Sequence, residues 1–155
     1  MDEQDQTHFS YNGLDFEWDA FRDAWSTPLE RMAPYARLYL KVPTPKEPPS
    51  VLSCEAGLSY MSVAPRLGVE AAEYLACEAA RYIKQAYDVT PREIMFSPFG
   101  VEIPWETPRN FCSVLMRGVF DIDTTWIVRL RGMALLTWRV DHSESTMARR
   151  KTDLF

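Results

Sequence analysis

The chain has 155 residues, of which 46% are hydrophobic and 25% charged. That is the size and balance of one globular domain and argues against a repeat array or a two-domain enzyme. Size scaling leaves roughly two thirds of the unfolded chain's surface buried, enough for a core without disulfides. The net charge of -5 argues against wholesale wrapping of nucleic acid and still allows a local basic patch.

Charge is not evenly spread. Residues 1–30 hold eight acids and one base, Arg22; residues 31–104 balance at eight and eight; residues 105–155 hold eight bases and six acids. The opening Met1-Asp2-Glu3-Gln4-Asp5-Gln6 is acidic where a secretory signal needs a basic start and an apolar stretch. No apolar run is longer than five residues, far below the roughly 20 needed to span a bilayer. Cys54, Cys77 and Cys112 are an odd set without CxxC spacing, which suits reduced thiols. A cytoplasmic, reducing location without a membrane span is therefore expected.

Residues 1–13 read as an acidic flexible arm. Trp18, Phe21, Trp25, Leu29 and Met32 then recur at helical offsets, which predicts two short helices over 15–25 and 28–33. Thr27-Pro28 with Glu30 marks the second start. Arg37 to Val42 alternates as a half-buried strand. Pro43, Pro45, Pro48 and Pro49 suit an extended connector. Val51 to Val63 reads as strand, with Gly57 at a bulge or turn. The stripe Ala72, Leu75, Ala76, Ala79, Ile83 and Ala86 predicts the main helix over 69–87, capped by Gly68. Strands follow at Ile94–Phe99, Phe111–Phe120, Thr125–Arg131 and Met133–Val140, with turns at Asp121–Thr124 and Gly132. The last three have connections too short for crossovers and must form an antiparallel meander. Residues 141–155 lose the pattern and read as a flexible tail.

The expected fold is a single α+β domain over 14–140. It has a mostly antiparallel sheet of about five or six strands packed against one main helix, with short N-terminal helices beside it.

Motifs that carry chemistry are scarce. The two histidines, His8 and His142, sit near the ends, away from any metal spacing. GxSxG, GxGxxG and GxxxxGK[ST] do not occur. A Cys–His nucleophile would need Cys112 or Cys54 near His142. Asp121 and Asp123 flank a turn and could hold a cation only with a third ligand; Glu102 and Glu106 raise the same question. No cofactor or metal is expected.

Two features point to interaction instead. The N-terminal segment interleaves aromatics with acids, so Phe16, Trp18, Asp19, Phe21, Asp23 and Trp25 are candidate partner-binding residues; the same stripe could equally fold back on the chain's own sheet. Thirteen Arg stand against four Lys. Arg129 and Arg131 share a strand face by period two, with Arg117 and Arg139 on neighbouring strands, so a basic sheet face is expected. It would grip carboxylates or phosphates. Trp126 and Trp138 occupy the alternate face, which weighs against nucleic acid. The terminal Asp153-Leu154-Phe155 is similar to the end of peptides that dock on bacterial sliding clamps, although Lys151 replaces their usual glutamine.

The expectation is thus a non-enzymatic interaction or assembly subunit whose partner is a protein or a second copy of the chain. A viral structural subunit would be one version of that class; the alternatives are a small acidic inhibitor or decoy of phage or mobile-element type that blocks a positively charged groove, and a small enzyme or ligand-binding domain.

Overall fold

A computed structural model of the chain describes residues 7–142. Eight strands form one sheet in chain order: β1 (His8–Tyr11), β2 (Leu14–Asp19), β3 (Ala24–Pro28), β4 (Arg37–Lys41), β5 (Phe96–Ile103), β6 (Phe111–Gly118), β7 (Asp121–Arg131) and β8 (Ala134–His142). Every neighbouring pair is antiparallel except β4 and β5, which run parallel. A parallel pair needs a long crossover. It is supplied by three helices, α1 (Val51–Ser62), α2 (Ala64–Glu78) and α3 (Ala80–Tyr87). The class is α+β, but eight strands and three helices replace the expected five or six strands and one main helix.

The N-terminal helices are the first correction. Asp15, Glu17 and Asp19 alternate with Phe16 and Trp18. That period-two pattern outweighs the helical offsets of the larger aromatics. Asn12 and Gly13 join β1 to β2 with φ of 53° and 82°. Both central residues of a type I′ hairpin need such positive values, and Asn-Gly adopts them readily. β1 lies within the stretch read as an arm and pairs with β2 from His8↔Glu17 to Tyr11↔Leu14. Pro28 ends β3 beyond Ser26, the last residue of that strand paired to β2, so its missing N–H breaks no ladder bond there. Residues 29–33 form a turn closed by Met32 N–H donating to Leu29 O, where a helix was expected.

The second correction is residues 51–63, helical where a strand was expected. Ser50 caps α1, its hydroxyl accepting from Ser53 N–H at 3.1 Å. The buried residues are Ser53, Cys54, Ala56, Gly57 and Tyr60, which have helical spacing but, Tyr60 apart, are small and carry little hydropathy signal. Gly57 marks close helix–sheet contact: a Cβ there would lie 2.9 Å from Leu38 Cδ2 and 3.3 Å from Leu40 Cδ2.

The predicted helix over 69–87 begins earlier, at Ala64, and is divided at Ala79. Gly68 lies inside α2, against Pro98 and Met32, and caps nothing. Ile94 and Met95 precede β5, which continues through Gly100 to Ile103 by a register shift between Pro98 and Gly100. The residues Asp121–Thr124, expected as a turn, open β7 instead; the β6–β7 turn is Val119-Phe120. The antiparallel β6–β7–β8 meander is as expected.

The core lies between the helices and one face of the sheet. Phe16, Trp25, Leu38, Leu40, Val101, Ile103, Val114, Met116, Trp126, Val128 and Leu130 meet Leu67, Ala71, Leu75, Ala79 and Ile83 there. Among the described residues no helix is long and apolar enough to cross a membrane.

Candidate functional site

Strand alternation leaves a second sheet face that no helix covers. A small apolar cluster of Ala24, Tyr39, Leu115 and Ile127, with Phe99 against it, occupies its centre and includes no helix residue. Tyr39 and Ile127 are nevertheless buried, because long side chains of the same face lie over the cluster. The Arg22 guanidinium carbon sits 5.2 Å from the Phe99 ring centroid and 5.6 Å from that of Tyr39, and the Arg117 guanidinium carbon 4.5 Å from Phe99. Arg129 lies over Phe111 in the same way, at 4.5 Å. Arginine stems cover apolar surface while the charged heads stay wet, and the ring faces attract the cations. Burial pushes the Tyr39 phenol above its ordinary pKa of 10, against the pull of Arg22.

The candidate residues on strands divide between the two faces, and Phe21 and Asp23 lie in the β2–β3 connection. Phe16 and Trp25 are fully buried on the helix side. Trp18 is half-buried there, its ring edge-to-face with Trp25 at 5.4 Å. Trp25 is tied further by its indole N–H, which donates to the Glu47 carbonyl at 2.6 Å. Phe21 stands 78% exposed in the β2–β3 connection. Asp19 projects from the uncovered face and accepts the Arg22 backbone N–H at 2.9 Å, fixing that connection; Asp23 holds its positive φ of 56°. Arg117, Arg129, Arg131 and Arg139 are all exposed on the uncovered face. Among the described residues none of the four has an ion-pair partner; the ion pairs there are Arg37–Glu17 at 3.1 Å and Arg66–Glu70 at 3.0 Å. The sequence-predicted acids and arginines therefore share a surface, and the aromatics, Phe21 apart, do not.

A groove of about 370 Å³ crosses one end of this face, lined by Asp23, Lys41, Glu102, Trp105, Glu106, Phe111, Ser113, Arg129 and Arg139 among others. Glu102 and Glu106, weighed from the sequence only as cation ligands, line it, and so do Lys41 and Trp105, which the sequence did not single out. Lys41 was visible as the outward member of the β4 alternation; Trp105, 47% exposed, carries no periodic signal because it lies in a loop.

The groups considered for catalysis are otherwise engaged. Burial pushes the Cys112 thiol up to about 12 and Cys54 up to about 11, opposite to the shift a nucleophilic thiolate needs. Asp121 accepts from Tyr87 Oη at 2.8 Å, from Thr124 Oγ1 at 2.6 Å and from Asp123 N–H at 3.3 Å. It ties the start of β7 to the end of α3; burial and this carboxylate together raise Tyr87 to about 12. Among the described residues no group of three His, Cys, Asp or Glu side chains could hold a metal ion. The terminal Asp153-Leu154-Phe155 and residues 1–6 of the expected arm lie outside the described residues. No protein family, curated protein or solved structure matches the chain.

Proposed function

We propose that the chain is a non-enzymatic interaction or assembly subunit that docks a protein on the uncovered face of its sheet. The observation that carries this reading is the asymmetry of cover: all three helices lie against one face, and the other presents a central apolar cluster and four exposed arginines unpaired among the described residues, two of them, Arg117 and Arg129, stacked on the Phe99 and Phe111 rings. Guanidinium groups held on aromatic rings keep a fixed direction and lose little freedom when a carboxylate arrives. The acids of β2 stand on the same face, so the expected acidic segment and basic sheet merge into one surface of mixed charge, able to select a partner by pattern.

Photo-cross-linking tests the reading. A benzophenone amino acid at Ser113, on the uncovered face, is expected to capture a polypeptide in the cell that makes the protein. The same group at Glu73, exposed on α2, is expected to capture none. Adducts from Glu73 alone, or from neither position, refute the assignment. A second reading, a ligand-binding domain, is favoured by the groove, in which Glu102 and Trp105 converge with Lys41, Arg129 and Arg139. Stabilisation of the fold by a small anion, lost in Arg139→Ala, would support it.

A further inference from the structure

We infer that the partner of the uncovered face is a second copy of the chain, packed face to face about a two-fold axis that runs along the strands between β4 and β5. The inference rests on the reading of that face as a docking surface. With the strands in chain order, β4 and β5 are the middle of the sheet, and β2 and β7 are each the third strand out on either side. An axis along the strands lays β2 of one copy over β7 of the other.

The register makes this arrangement complementary. Across the ladders Glu17 lies opposite Ser26, Ser26 opposite Tyr39, Tyr39 opposite Glu102, Glu102 opposite Ser113, and Ser113 opposite Arg129. Glu17 and Arg129 thus occupy one row, at equal distances on the two sides of the axis. Two residues further along β2, Asp19 aligns with Ala24 and Lys41. Two residues further along β7 in the same direction stands Arg131, opposite Phe111. Rotation about the axis keeps each row and exchanges its sides. Glu17 of each copy then meets Arg129 of the other, and Asp19 meets Arg131.

Packed sheets lie about 10 Å apart, a gap that a glutamate and an arginine reaching from opposite sides close between them. The contact is isologous, so each ion pair occurs twice and the assembly closes at two copies. An axis at right angles to the strands would instead stack β2 on β2, acid on acid, and like charges across an interface repel. The Arg37–Glu17 ion pair of the single chain is partly solvent-exposed, Glu17 at 59% and Arg37 at 28%. Such pairs are weak and exchange readily.

Sedimentation of the full chain at micromolar concentration, at low and high salt, is the test. The expected mass is twice the chain's 17.9 kDa, with weaker association at high salt. Glu17→Lys and Arg129→Glu alter exposed side chains, and circular dichroism checks that both variants fold. Each reversal places like charges together twice, so each variant alone should dimerise about a hundredfold more weakly. Mixed together they should form a heterodimer with wild-type affinity, because every contact is then again of opposite sign. A monomeric wild type overturns the inference, as does a dimer indifferent to both reversals. So do two weakened variants that fail to recover on mixing. A monomeric wild type that still cross-links another protein from Ser113 would leave the docking surface standing without this occupant.

Discussion

Trp25 and Trp126 form a matched pair. Both are fully buried, yet the Trp25 indole N–H donates to Glu47 O at 2.6 Å, whereas Trp126 Nε1 has no partner among the described residues. Replacing either by Phe removes the same atoms and leaves a similar void, costing about 1–3 kcal/mol. The N–H separates them. Trp25→Phe also loses a hydrogen bond of about 1 kcal/mol, while Trp126→Phe removes a desolvated donor whose unmet demand costs about 1–3 kcal/mol. Trp25→Phe should therefore be the less stable by about 2 kcal/mol, which in a chain of this length separates the two Tm values by about 4–8 °C. Ring packing works the other way. Trp126 touches Tyr82, Tyr87, Phe96, Phe120 and Trp138 at centroid distances of 5.4–6.4 Å, against Phe9 and Trp18 for Trp25, but phenylalanine retains a ring at either position. Urea unfolding followed by circular dichroism, with an unchanged m-value, reads the difference. If Trp126→Phe costs as much as Trp25→Phe or more, the unpaired donor is not the deciding term.

Two further predictions concern the thiols. Cys77 is exposed while Cys54 and Cys112 are buried with raised pKa values, so a disulfide reagent at pH 8 should label one thiol quickly and the other two only after unfolding; a fast second thiol would contradict the packing around α1 or β6. Stability should also fall in alkali. Between the ordinary thiol pKa of 9.0 and the folded value of about 12, the unfolded chain releases the Cys112 proton and the native one retains it. Stability is thus complete below pH 9 and declines by up to about 1.4 kcal/mol per pH unit from this group alone. Cys112→Ala should flatten the decline of the urea midpoint above pH 9, and an unchanged slope would show that Cys112 is not its source.

Where local pattern and burial coincide, the elements were legible. β4 alternates in five residues, and β6 to β8 combine β-branched or aromatic residues with connections too short for anything but a meander. The N-terminal hairpins carried an equally clear message in Asn12-Gly13 and in the acids alternating with Phe16 and Trp18; helical spacing among five large residues obscured it, since sparse aromatics fit both periods. α1 was hidden for another reason. Its buried face includes the small Ser53, Ala56 and Gly57, and at Gly57 the absence of a side chain is required by the close approach of Leu38 and Leu40, residues on a different element.

The charged residues of the candidate site divide the same way. Alternation along a strand determined that Arg129 and Arg131 point in one direction and Trp126 in the other, because the side-chain period of two is a property of the local backbone. That Glu17 and Arg129 lie in one row depends on five successive ladders joining residues more than a hundred positions apart in the chain. The face left uncovered depends likewise on which side of the sheet the α1–α3 crossover packs. Register and cover arise from long-range pairing, and only the tertiary structure decided them.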